Sequence, residues 1–168
     1  MSIVAVSSTI TRVANASGAT AGTLIGQSQT AASVVPFKFG FPYPGVKIYN
    51  VGVSKGSSSA TKFTVHLFNS NPTVFSGDST SISFASAGYL TSYPVDLSTV
   101  TQFSSGAGIT ALGASSAAGG ANPLAVTTEM GSGGCFLYAL LAANSTYTPS
   151  SGETYTVTIY GEYPAIGR

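Results

Sequence analysis

One imidazole, His66, and one thiol, Cys135, are the side chains of this chain best suited to proton transfer or nucleophilic attack near neutral pH. A cysteine nucleophile needs a base beside it, and here only His66 could serve. Cys135 instead opens the apolar run Cys135-Phe-Leu-Tyr-Ala-Leu-Leu-Ala142, where a free cysteine reads as a small buried hydrophobe. A metal site needs several convergent ligands, which one His, one Cys and five scattered carboxylates do not readily supply. Glycosidic cleavage needs paired carboxylates. Of Asp78, Asp96, Glu129, Glu153 and Glu162, two (Asp78 and Glu153) already read as turn residues. The string Gly106-Ala-Gly108-Ile-Thr-Ala111 spells a dinucleotide fingerprint, with Glu129 downstream. That mechanism needs a strand before the glycines and a helix after them, and a Gly/Ala/Ser tract offers neither. There is no P-loop and no Gly-x-Ser-x-Gly elbow. The expectation is a chain with no catalytic residues, no cofactor and no metal.

Binding chemistry is similarly restricted. The basic residues Arg12, Lys38, Lys47, Lys55, Lys62 and Arg168 form no cluster, so the counterion-releasing patch of a nucleic-acid binder is missing. No apolar run approaches the roughly 18–20 residues of a membrane span. The start Met-Ser-Ile-Val-Ala-Val-Ser-Ser lacks the basic region of a secretory signal, so synthesis and use in a cytoplasm, or release with a particle, is expected. Asn15-Ala-Ser17 and Asn144-Ser-Thr146 match glycosylation sequons by spelling, which a Ser/Thr-rich chain produces by chance. The aromatics of Phe37-Lys-Phe39-Gly-Phe41-Pro-Tyr43 suit a core, a subunit contact or a sugar-stacking platform. Charged residues make up 7% of the 168-residue chain, against roughly 25% in ordinary soluble domains. A skin of Ser, Thr, Asn and Gly suits a part docked in an assembly better than a free monomer.

The elements that would position these residues are strands. Lys62 to Phe68 alternates, with Phe63, Val65 and Leu67 inward and Lys62, Thr64 and His66 outward. Thr154 to Tyr163 does the same, with Tyr155, Val157 and Ile159 inward and Thr154, Thr156, Thr158 and Glu162 outward. In Val46 to Ser54, Tyr49, Val51 and Val53 fall on one face and Val46 and Ile48 on the other, which predicts a central strand. Further strands are predicted near Val34–Phe39, Ser81–Phe84, Ser92–Leu97, Ile109–Leu112 and Cys135–Leu140, with a helical turn around Ala85–Leu90. Turn signals separate them, such as Pro42-Tyr-Pro-Gly45, Ser76-Gly-Asp78 and Pro149-Ser-Ser-Gly152. The reading is an all-β, jelly-roll-like antiparallel β-sandwich over residues 34–168. Residues 1–33, rich in Ser, Thr, Ala and Gly, read as an extended N-terminal arm with one or two short strands, its apolar pieces being Ile3–Val6 and Leu24–Ile25. Ser104–Ala121 reads as a long contact loop.

Several pieces together resemble the capsid decoration, or cement, proteins of tailed bacteriophages. They are Leu67-Phe-Asn69 with Pro72-Thr73, the acidic turn at Asp78, Phe136-Leu-Tyr-Ala-Leu-Leu141, and Tyr147-Thr-Pro149 before a final strand ending at Tyr163. Ala21-Gly-Thr-Leu-Ile-Gly26 is also similar. The resemblance spans about residues 20–163 and implies a jelly-roll homotrimer clamping neighbouring major-capsid subunits on the outer surface of the virion, made in the bacterial host cytoplasm. It implies no catalytic residue. The chain is less acidic than that class. The expected contact residues are Ile3, Val4, Val6, Arg12, Leu24 and Ile25 of the arm, Phe37, Phe39, Phe41 and Tyr43, and Ile109 and Leu112 of the loop. The alternative is a head-fibre or tail-associated carbohydrate-binding module using the 37–43 aromatics or Tyr89 and Tyr93.

Overall fold

The structure, a computed structural model, describes residues 2–14, 18–57, 59–98, 111–113, 124–126, 129–131 and 134–163. Its strands are β1 (Ser2–Thr11), β2 (Leu24–Ile25), β3 (Phe37–Phe41), β4 (Val46–Lys55), β5 (Lys62–Phe68), β6 (Tyr89–Asp96), β7 (Ala111–Gly113), β8 (Leu124–Val126), β9 (Glu129–Gly131), β10 (Gly134–Ala143) and β11 (Thr154–Tyr163). Among the described residues there is no α-helix, and the predicted turn at Ala85–Leu90 instead leads into β6. Ser81–Phe84 contributes isolated bridges, Thr23 to Ser81 and Val74 to Phe84, rather than a strand.

The strands form two antiparallel sheets packed as a sandwich. The first runs β1-β11-β4, with β7 and β8 sharing the far edge of β4. In the second, β10 is central. β2 and β3 lie along one edge, β5 and β9 along the other, and β6 flanks β5. At the two seams β1 lies beside β3 and β7 beside β6. Between the sheets, Phe37, Phe39 and Phe41 meet Phe63, Val65, Leu67, Tyr93, Leu137 and Leu141 from the second sheet, and Val51, Val53, Tyr155, Val157 and Ile159 from the first. Burying each such side chain is worth about 1.5–3 kcal/mol. The alternations predicted for β5 and for Thr154–Ile159 of β11 are those observed, but Glu162, expected to face out, is buried beside Lys47.

Two further expectations need correction. The first concerns residues 1–33. Ser2–Thr11 pairs residue for residue with β11, from Ser2 opposite Tyr163 to Thr11 opposite Thr154, and Leu24–Ile25 pairs with β10. These two strands therefore belong to the sheets rather than reaching away from them. The alternation of β1 is real, since Val4, Val6 and Ile10 pack against the core while Ala5, Ser7 and Thr9 face out. The second concerns β4. Asn50 sits opposite Tyr160 and Ile48 opposite Gly161, so Tyr49 is an extra, bulged residue. A bulge restores the phase of the alternation. Val46 and Ile48 therefore point into the same core as Val51 and Val53. Gly161 makes room for it, because a Cβ there would lie 2.5 Å from the Lys47 carbonyl oxygen.

Candidate functional site

The outer faces of the two sheets differ, and the second carries the features suited to interaction. On β10 the outward residues are Phe136, Tyr138 and Leu140. Opposite Tyr138 and Leu140 on β5 stand Phe68 and His66. Left bare, this aromatic surface would be exposed to water. The chain from Asn69 to Gly88, between β5 and β6, folds back across it as a flap. Val74, Ile82 and Phe84 of the flap, with Leu24 and Val34, close a second apolar cluster over Phe68, Tyr138 and Leu140. Phe84 packs edge-on to Phe68 at 5.0 Å and stacks on Tyr89 at 5.7 Å. Backbone bonds from Phe75 to Ser83 and from Ala85 to Thr73 hold its two limbs together. Others, from Leu24 to Thr80, Ser79 to Leu24 and Ile82 to Gly22, moor it to the strand-edge segment.

The flap tip is pinned by charge. Asp78 is buried and ion-paired with Arg12, whose Nη2 lies 2.7 Å from Oδ2 and whose Nε donates to Oδ1 at 3.0 Å. The Gly26 N–H and the Ser79 hydroxyl donate to the same carboxylate. Arg12 sits immediately after β1, and its own N–H donates to the Glu153 carbonyl. Close by, a second buried pair joins Lys55 to Glu153 at 3.5 Å. The Lys55 ammonium also donates to the Ser57 carbonyl and to the Ser57 and Ser59 hydroxyls. Glu153 accepts from the Ser57 and Tyr155 hydroxyls and the Ser150 N–H, and Tyr155 pairs with the Tyr147 hydroxyl. Burial lowers the Lys55 pKa, against the pull of Glu153. Burial also drives both tyrosine phenols well above their usual range. With Lys55 and Glu153 out of solvent, this arrangement cross-braces one end of the sandwich.

His66 lies on the outer face as predicted, but it is covered. Its ring is 5.4 Å from Phe84 and 6.1 Å from Tyr89, its Nδ1 has no hydrogen-bond partner, and burial lowers its pKa. Around this covered patch three apolar side chains protrude: Val35, Phe75 (59% exposed) and Tyr89. Sequence reasoning singled out only Tyr89 of these. The signal for Phe75 was weak, a lone aromatic in a polar loop.

The expected contact residues are mostly not on the surface. Phe37, Phe39 and Phe41 are core, and Leu24 and Ile25 are fully buried on the edge of β10. Arg12 is consumed by its ion pair. These six serve the fold: Ile25, Phe37, Phe39 and Phe41 fill the space between the sheets, Leu24 lies in the cluster under the flap, and Arg12 neutralises a buried carboxylate. Val4 and Val6 are half-buried against the core. Ile3, 89% exposed, and Tyr43 do remain outside, and they share one end of the molecule. Tyr43 packs edge-on to Tyr163, while Ile3 pairs beside it with Glu162. Leu112 lies on β7 opposite Gly52. Ile109 and most of the predicted 104–121 loop lie outside the described residues. Among the described residues no group of three His, Cys, Asp or Glu side chains is placed to hold a metal, and no helix is long and apolar enough to cross a membrane. No protein-family model matches the chain, and no curated protein matches it.

Proposed function

We propose that this chain is a structural virion protein that decorates and stabilises the outer surface of a tailed-phage capsid, as a trimer clamping neighbouring major-capsid subunits. The observation that carries this reading is where the charges go. Arg12, Lys55, Asp78, Glu153 and Glu162 are all buried, while Lys38, Lys47, Lys62 and Asp96 carry charge at the surface. A skin that poor in ions suits a part whose surface meets other protein subunits. The chain path supports the reading too. β1, β4, β7 and β11 of one sheet alternate with β3, β5, β6 and β10 of the other, which we read as the wrapping of a jelly roll, an architecture used by capsid proteins. Docking then rests on apolar and backbone contacts, made by the protruding Val35, Phe75 and Tyr89 and by Ile3 and Tyr43.

The test is a cryo-EM map of the particle whose genome encodes the chain, with co-sedimentation of purified protein and expanded heads. The expected result is trimers on the outer lattice that stay bound from low to high salt, since few charges are available to screen. A monomer that fails to bind heads at any salt overturns the proposal. Release by salt alone overturns the apolar mode of docking. Tyr89, stacked on Phe84 and 39% exposed, favours a second reading as a head-fibre or tail carbohydrate-binding module. Phe37, Phe39, Phe41 and Tyr93 cannot serve that role as placed, because they are buried. A glycan array separates the two readings.

A further inference from the structure

We infer that β1 and the flap form one cooperative unit, locked by the Arg12–Asp78 pair, that opens together and bares the aromatic face of the second sheet while the rest of the sandwich stays folded. The coupling is electrostatic. Both side chains of the pair have no accessible surface, one belongs to the N-terminal strand segment, and the other lies 66 positions away at the flap tip. If β1 peels from β11, Arg12 leaves with it and Asp78 loses its counter-ion. If the flap lifts, Arg12 loses the Asp78 carboxylate instead. Removing one partner of a buried ion pair is strongly destabilising, so opening either segment weakens the hold on the other, although β1 keeps its ladder to β11 and the flap its bonds to Gly22 and Leu24.

Geometry makes this unit separable from the core. β1 is an edge strand, laddered only to β11. Its apolar side chains, Val4, Val6 and Ile10, are only partly buried. The flap tip is held in a conformation that its sequence alone would not keep. Ser79 has φ 59°, and Gly77 lies so close to the Gln29 backbone that a Cβ would stand 2.0 Å from its carbonyl oxygen. By contrast β10 is paired along both edges and lines both apolar clusters. Regions with few buried contacts and single-edge pairing open at lower free energy than such a centre.

Native-state hydrogen exchange on the intact chain, at rising sub-denaturing urea, tests this directly. The β1 amides, the Arg12 amide and the flap amides of Phe75, Asp78, Ser79, Ile82 and Ala85 should merge into a single opening, below that of β5 and β10. Arg12→Met should then speed flap exchange roughly a hundredfold and raise binding of anilinonaphthalene sulfonate, with β5 and β10 still protected. Flap amides that open apart from β1, or only together with β10, overturn the inference. So does Arg12→Met with an undisturbed flap. Should Arg12→Met not fold, the wild-type exchange pattern alone decides.

Discussion

The two outer faces of this sandwich solve the same problem in opposite ways. On the first sheet, Ser7 and Thr158 share a hydrogen bond at 2.8 Å, and Thr9 and Thr156 share another at 2.7 Å, so short hydroxyl side chains dress the sheet unaided. Such cross-strand pairs satisfy one another and water equally well. On the second sheet, Phe68, Tyr138 and Leu140 occupy outward positions, where large apolar surfaces would otherwise meet water. The chain itself supplies the cover, as a flap anchored by Arg12 and Asp78. One face is insulated residue by residue, the other by a single removable piece. Substitutions should therefore be felt locally and weakly on the first, and strongly on the second.

The sharpest contrast is Phe68→Ala. Phe68, at the end of β5, is fully buried under the flap, so its truncation should cost about 3–5 kcal/mol in urea unfolding. A loss below 1 kcal/mol would mean that the flap is not packed on the sheet. Next comes Gly77→Ala, where the new methyl would press on the Gln29 backbone; overpacking of this kind costs about 1–3 kcal/mol. The effect should appear as faster exchange in the flap before it appears in global unfolding.

A pH dependence should follow from His66. Its pKa in the folded state lies below the unfolded value of 6.5, so the unfolded chain binds the proton more readily. The stability contributed by keeping this ring neutral is complete above that pH and is lost as pH falls through the folded pKa. The slope cannot exceed one proton, about 1.4 kcal/mol per pH unit. Across pH 5–7.5, His66→Gln should flatten the dependence, and an unchanged slope would assign it to other groups. The smallest effect belongs to the first sheet. Thr156→Ala removes one exposed hydroxyl pair and should shift stability by no more than about 0.5 kcal/mol in the same urea titration.

The sequence made the second sheet's inner face readable and its outer face opaque. Phe63, Val65 and Leu67 against Lys62, Thr64 and His66 announce a strand with one apolar side, and that is the strand observed. Nothing local says that His66 will be covered, because the cover comes from residues 69–88 folding back across a sheet. A short strand is legible near Ile3–Val6, but not its full length over Ser2–Thr11, because hydroxyls on one side and small aliphatics on the other resemble a low-complexity tether in composition. In β4 the two-faced reading failed because a bulge at Tyr49 shifts the phase, and its permissive partner Gly161 lies more than a hundred positions away. The ion pairs were hidden for the same reason. Lys55 and Glu153 stand 98 positions apart, and both acids, Asp78 and Glu153, sit in turns whose spelling explains them without burial.

Drawing five of its few ions inward has a consequence for how copies of this molecule tolerate one another. Most proteins keep their distance in concentrated solution through mutual repulsion. This one has little to repel with, and it relies on the hydration of Ser and Thr hydroxyls. Salting-out by ammonium sulfate, which acts by exclusion from the wetted surface rather than by shielding, should then govern its solubility. Dense side-by-side crowding costs such a molecule almost no electrostatic work.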